Sequence, residues 1–351
     1  MKFQDGGVNT YHKKNATQGY TLYAPTRHDN AYLIDMDGQI VNKWALINDQ
    51  GINRCQLTND GHLFIAEGSK DGPPLSAGKG GWLREYDWNG KVVWEHHDED
   101  QHHDARRLPN GNTVYIAWEA LDEASAKRVQ GGLPGTEKDG VIYGDVIREI
   151  TLDKEIVWEW RTKEMDIEKY PICPLCPRAE FAHCNTVSPL PNGDVLLSFR
   201  VLNTILIVDR HTRKVKWEYT DLSFGHQHDC HFLSNGNILL FCNGFHGRDV
   251  DMASSVREFN PETGDIVWEF KGTPYSSFFS ANISGAQRLW SGNTLICEGY
   301  KGSLFEVTPE GEIVWEYVNP YTAPHPVFGT TNWIFRAYRY APDAPQLLHL
   351  R

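Results

Sequence analysis

The sequence contains no run of about 18 apolar residues, so it offers no segment able to cross a bilayer as a helix. Its first twenty residues, MKFQDGGVNTYHKKNATQGY, lack the apolar stretch of a signal peptide, and a cytoplasmic location is expected. Positive charge is scarce. With 34 Lys and Arg against 46 Asp and Glu, the net charge of −12 repels nucleic acid and anionic membranes alike, and neither is expected as a partner. An anionic substrate would therefore need a local basic pocket. The seven cysteines are odd in number and scattered, which fits reduced thiols better than a secreted disulfide framework. What the chain has in quantity is aromatic residues and turn formers: 12 Trp, 15 Tyr and 15 Phe with 31 Gly and 18 Pro, a composition suited to many short strands.

Internal repetition gives those strands an order. A β-branched pair followed by Trp recurs as VNKWA (41–45), VVWEH (92–96), IVWEW (156–160), VKWEY (215–219), IVWEF (266–270) and IVWEY (313–317). The six copies stand about 50 to 60 residues apart, the period of a stacked supersecondary unit. Between them lies a Leu or Trp before a Gly-containing turn that opens an apolar strand, as in LTNDGHLFIAEG, LPNGNTVYIAWE, LPNGDVLLSFR, LSNGNILLFCNG and LWSGNTLICEG. Asn-Gly between apolar runs signals a hairpin. Each repeat thus reads as four strands, one propeller blade. Six Trp motifs against five turn motifs leave one blade to be closed by both termini, with TTNWIFRAYRY supplying its first strand and GYTLYAP, NAYLIDMDG and QIVNKWA the others. The expected fold is all-β: one six-bladed propeller domain over residues 1–351, with residues 1–18 as an N-terminal extension.

Comparison of the blades exposes a histidine pattern. The segment before each turn carries Gln101, His102, His103 and Asp104 in one blade, His183, Cys184 and Asn185 in the next, and His226, Gln227, His228 and Asp229 in a third. First strands of propeller blades line the central channel, so these imidazoles reach one mouth. If the segments are extended, residues two apart share a face, pairing His226 with His228, His183 with Asn185, and Gln101 with His103, while Asp104 and Asp229 point away. Second strands end at the same mouth, adding Arg200, Trp118 and the Cys-Asn-Gly at 242–244. Such convergence from separate segments is what a site requires.

The ordered series HHDARRLPNGN, HCNTVSPLPNGDVLLSFRVLNTILIVDR, QHDCHFLSNGNILLFCNG and SGAQRLWSGNTLICEGYKGSLFEVTPEGEIVWEYVNP, followed by FRAYRY, resembles the bacterial arylsulfate sulfotransferases that need no nucleotide sulfate donor. The resemblance spans nearly the whole propeller. It implies a histidine that attacks the sulfur of an aryl sulfate to give a sulfohistidine, with two further histidines and an arginine holding the sulfuryl oxygens. Matched motif to motif, the nucleophile is His228, and its helpers are His103, His183 and Arg200. His226, Asn185, His102, Trp118 and Asn243 are the expected substrate-binding neighbours. Secreted members carry a leader, an extra N-terminal β domain and a disulfide, so this chain resembles the cytoplasmic, propeller-only branch. The implied substrate is a small aromatic anion, and the implied chemistry needs no cofactor.

Other readings of the same residues stay open. His103, His183, His226 and His228 also suit a divalent metal such as zinc or calcium, with Asn185 or a carboxylate completing the shell of a lyase or hydrolase. A propeller that only binds a partner is the third reading. CPLC (173–176) has no second Cys pair and is expected to be a structural loop whose Cys173 and Cys176 are dispensable for chemistry. SAGKGG (76–81) lacks the Ser/Thr and the strand-to-helix context of a phosphate loop, and is expected to be a mobile loop. EHHDEDQHHD (95–104) reads as a solvated connection apart from His102 and His103. His246, in NGFHGRD, either reaches the mouth or serves a turn. The tryptophans, on outer strands, are expected to pack blade against blade.

Overall fold

A computed structural model describes residues 5–48, 51–247 and 252–351. Six antiparallel four-stranded sheets form a ring, as the repeats predict. Blade 1 is built from both termini: Ile334–Tyr340 is its inner strand, followed outward by Tyr20–Pro25, Asn30–Ile34 and Ile40–Ala45. Gln101–Arg107, Cys184–Pro189 and His228–Phe232 are the inner strands of blades 3, 4 and 5, and Gly285–Arg288 that of blade 6. Residues Gly7–Tyr11, within the expected N-terminal extension, add a fifth strand outside Ile313–Val318 of blade 6, covering an edge that would otherwise be open.

The repeated tryptophan has a specific task. In every blade its indole N–H donates to a carbonyl in the turn between the third and fourth strands of the next blade: Trp44 to Asp87, Trp94 to Leu152, Trp158 to Arg210, Trp217 to Pro261 and Trp268 to Pro309, at 2.8–3.2 Å. Trp315 completes the circle by donating to Met36 at 2.9 Å. A large apolar body packs between blades while its one polar atom is satisfied across the seam, which sets their relative position. Among the described residues the one α-helix is Glu123–Arg128, in a long excursion from blade 3, and no helix is long and apolar enough to cross a membrane.

The channel is filled rather than open. Asp104 meets Arg54 at 2.7 Å and Arg336 at 3.0 Å, all fully buried, and Arg336 reaches on to Asp229 at 3.3 Å and to the Asn185 carbonyl at 2.8 Å. Blades 1 to 5 are joined through this network. It forms a floor one residue further along the inner strands than His103 and Phe335.

Candidate active site

Inner strands do not simply alternate at the mouth. His103, His183, His226 and Asp229 all have positive φ, between 50° and 71°, and the strand pairing is interrupted beside them. These kinks replace the expected two-residue alternation and decide which side chains meet. His103, His183, Arg200 and His228 line one cavity of about 200 Å³. His226 does not lie beside His228: it turns away toward Cys176, with Nε2 3.5 Å from the sulfur. The four-histidine metal set is therefore not assembled. Asn185 also lies off the cavity, donating to the Gln227 carbonyl at 2.7 Å.

Each cavity histidine is oriented from behind. His228 Nδ1 lies 2.7 Å from Asn243 Oδ1 and 3.1 Å from the His226 carbonyl. The Asn243 amide is itself fixed, because its Nδ2 donates to the carbonyls of Ser280 and Ile283 at 2.8 and 3.0 Å. Two acceptors at Nδ1 place the proton there and leave Nε2 with a free lone pair. Burial, with Arg200 nearby, holds the His228 pKa well below the usual 6.5, so the ring is neutral.

His183 Nδ1 is 3.0 Å from Glu180 Oε2, which also accepts the Trp118 indole N–H at 2.9 Å. His102 stacks on Trp118 with centroids 4.3 Å apart, lies 3.2 Å from Asp145 and places its Nδ1 2.7 Å from that of His103. His102, Trp118 and Asn243 thus stand behind the cavity residues, not on the cavity. The proton affinity of His103 is also held well below normal, by burial first and then by His183, His102, His228 and Arg200. Its ring meets His183 edge-on at 4.5 Å.

Several lining residues carried no signal of their own in the sequence. The segment SAGKGG packs onto the site instead of standing clear as a mobile loop: the Gly78 carbonyl accepts from His103 N–H at 2.7 Å, and Ser76 to Lys79 form one wall. A side chain in place of the Gly78 hydrogen would displace the His103 ring, since a Cβ would sit 2.0 Å from it, and φ is +73°. Phe335, Trp333 and His325 give the cavity an aromatic side, the last from the hairpin of Ala323–His325 and Gly329–Thr331. Arg27, Lys79 and Arg200 supply positive charge, and among the described residues no carboxylate lines the cavity. This is the local basic pocket that a chain of charge −12 needs for an anionic ligand. Three imidazoles, a guanidinium and an aromatic wall can bind a small aryl oxyanion and present a nitrogen nucleophile to it.

CPLC is not the isolated loop that its sequence context suggests. Ile172–Pro177 is a strand, paired in parallel with Gly131–Leu133, and it brings Cys173 and Cys176 to His226 and His246. The potential ligands absent from the local sequence come from blade 5.

No curated protein sequence matches the chain. Among solved structures it is similar to a protein of unknown function from Bacteroides caccae, at 14% identity and a TM-score of 0.58, covering 92% of this chain and 99% of that one. A streptogramin B lyase is 12% identical over 91% of this chain and 85% of its own, with a TM-score of 0.49. The virginiamycin B lyase of Staphylococcus aureus is 15% identical over 83% and 84%, with a TM-score of 0.45. Likenesses this remote concern the fold alone. The family comparison is more specific: the sequence profile described as arylsulfotransferase (ASST) matches residues 81–320, a span that includes His103, His183, Arg200 and His228, and the chain belongs to the arylsulfotransferase family.

Proposed function

We propose that the protein transfers a sulfuryl group from an aryl sulfate to a phenolic acceptor through His228. The observation that carries this reading is the setting of His228, whose Nδ1 faces the Asn243 amide oxygen and the His226 carbonyl, an arrangement that leaves the Nε2 lone pair free beside Arg200 on the cavity. In the first half-reaction Nε2 attacks sulfur, an N–S bond forms, and the S–O bond to the ring breaks with its electron pair leaving on the phenolate. The product is an N-sulfo-imidazolium that keeps its proton on Nδ1 and donates it to Asn243 Oδ1 and the His226 carbonyl. In the second, the acceptor oxygen attacks sulfur, the N–S bond electrons return to Nε2, and the acceptor's proton passes to a cavity imidazole or to water. His103, His183 and Arg200 hold the sulfuryl oxygens as the geometry becomes trigonal bipyramidal. Phe335 and Trp333 receive the aryl ring, and the small volume favours a simple aryl ester.

Steady-state kinetics with 4-nitrophenyl sulfate and a phenol test this. Parallel reciprocal plots are expected, since donor and acceptor visit the same histidine in turn. Arg200→Ala should lower kcat/KM by about 10²- to 10³-fold, as removal of an oxyanion donor does elsewhere. Intersecting plots, or an Arg200 variant with full activity, would oppose the reading.

A further inference from the structure

Outside the cavity, the potential ligand atoms of Cys173, Cys176, His226 and His246 all lie within 4.8 Å of one another. The sulfur of Cys176 is 3.5 Å from His226 Nε2 and 3.7 Å from His246 Nδ1, and that of Cys173 is 3.8 Å from His246 Nδ1. A tetrahedral zinc ion bound at about 2.3 Å to sulfur and about 2.05 Å to nitrogen separates the two ligand types by about 3.6 Å. The observed spacings are those of the edges of such a tetrahedron.

His226 adds an independent reason. Its side chain is completely buried, its Nδ1 has no partner among the described residues, and its Nε2 faces the sulfur of Cys176. A buried imidazole satisfied only by a thiol is an expensive arrangement, and a metal on Nε2 resolves it. We propose that Cys173, Cys176, His226 and His246 bind one structural zinc ion. Two soft thiolates with two imidazoles select zinc over magnesium or calcium, and four protein ligands leave no open position for substrate.

The site would fasten a second excursion, the one between the last strand of blade 3 and the first strand of blade 4, onto blade 5. Cys173 and Cys176 belong to the excursion, whereas His226 leads into the inner strand of blade 5 and His246 follows its second strand. Arg200 stands next to this junction, with Cys176 among its charge partners. Loss of zinc would therefore loosen the ground beneath a cavity residue without removing any group from the cavity. The metal assignment holds or fails whatever reaction the cavity performs.

Metal analysis of the full-length protein, purified under reducing conditions without chelator, should find one zinc per chain. Titrating the thiols with an organomercurial should release that zinc to a colorimetric indicator. Cobalt added to the stripped protein should give the intense visible bands of a tetrahedral thiolate site. His246→Ala, at the least buried ligand, should be folded by circular dichroism yet lose most of the zinc and the cobalt spectrum. Protein that carries no stoichiometric metal and gives no cobalt bands would overturn the proposal. So would a Cys173–Cys176 disulfide in protein purified without reductant that stays metal-free after reduction.

Discussion

Replacing Asn243 with Ala tests how the nucleophile is prepared. The substitution removes the 2.7 Å acceptor at His228 Nδ1 but leaves the His226 carbonyl at 3.1 Å. As Nε2 bonds to sulfur the ring becomes cationic, so the lost bond is charge-assisted, worth about 1.5–3 kcal/mol or roughly ten- to a hundredfold in kcat. The remaining carbonyl keeps the loss near the lower end. Asn243 is fully buried and does not line the cavity, so KM should move less than twofold while kcat falls about tenfold. The variant also strips donors from the carbonyls of Ser280 and Ile283, at a stability cost of about 1–3 kcal/mol each unless water replaces them. Burst kinetics with 4-nitrophenyl sulfate separate the attack on sulfur from later steps, and urea melts report the stability loss. A destabilised variant with an unchanged burst rate would refute the idea that Asn243 orients His228.

Gly78→Ala should reduce turnover much more than its strain of about 1–2 kcal/mol reduces stability, because the new Cβ displaces the His103 ring; equal turnover in the two proteins would contradict the packing described for this wall. Stability should also fall in mild acid through His103. Its pKa is lowered by folding, so the neutral form dominates in the folded state while the unfolded chain takes up a proton below about 6.5. The His103 contribution is complete above that pH and declines by about 1.4 kcal/mol per unit as pH drops toward the folded value. Denaturation of wild type and His103→Gln between pH 7 and 5 checks this, the variant being expected to show the shallower loss.

The sequence made the ring legible because its devices are local and repeated. Each Trp sits in a strand recognisable from its neighbours, and in the five blades that do not join the termini the first hairpin is marked by its own turn. The positions of His103, His183, Arg200 and His228 followed from equivalence between blades, and they share one cavity. What escaped depends on backbone kinks and distant partners. The φ of +71° at His226 turns it from His228 to Cys176, and no periodicity announces a left-handed residue at a histidine. Cys173 and Cys176 looked unpartnered because His226 and His246 are about 50 to 70 residues away along the chain. Glu180, three residues before His183, and Asp145, which faces His102, were not recognised, although a carboxylate behind an imidazole is a common way to fix the orientation of the ring. Gly78 was visible as part of a glycine-rich loop, but its fit against His103 is a tertiary fact.

The most direct test of the central claim is intact-protein and peptide mass spectrometry after brief incubation with 4-nitrophenyl sulfate in the absence of acceptor. The account predicts release of about one equivalent of nitrophenol per chain and a matching mass gain of one sulfuryl group, mapped to His228 and discharged when a phenol is added. His228→Ala should neither burst nor gain mass. Turnover of the aryl sulfate with no covalent adduct, or an adduct mapped to another residue, would contradict it.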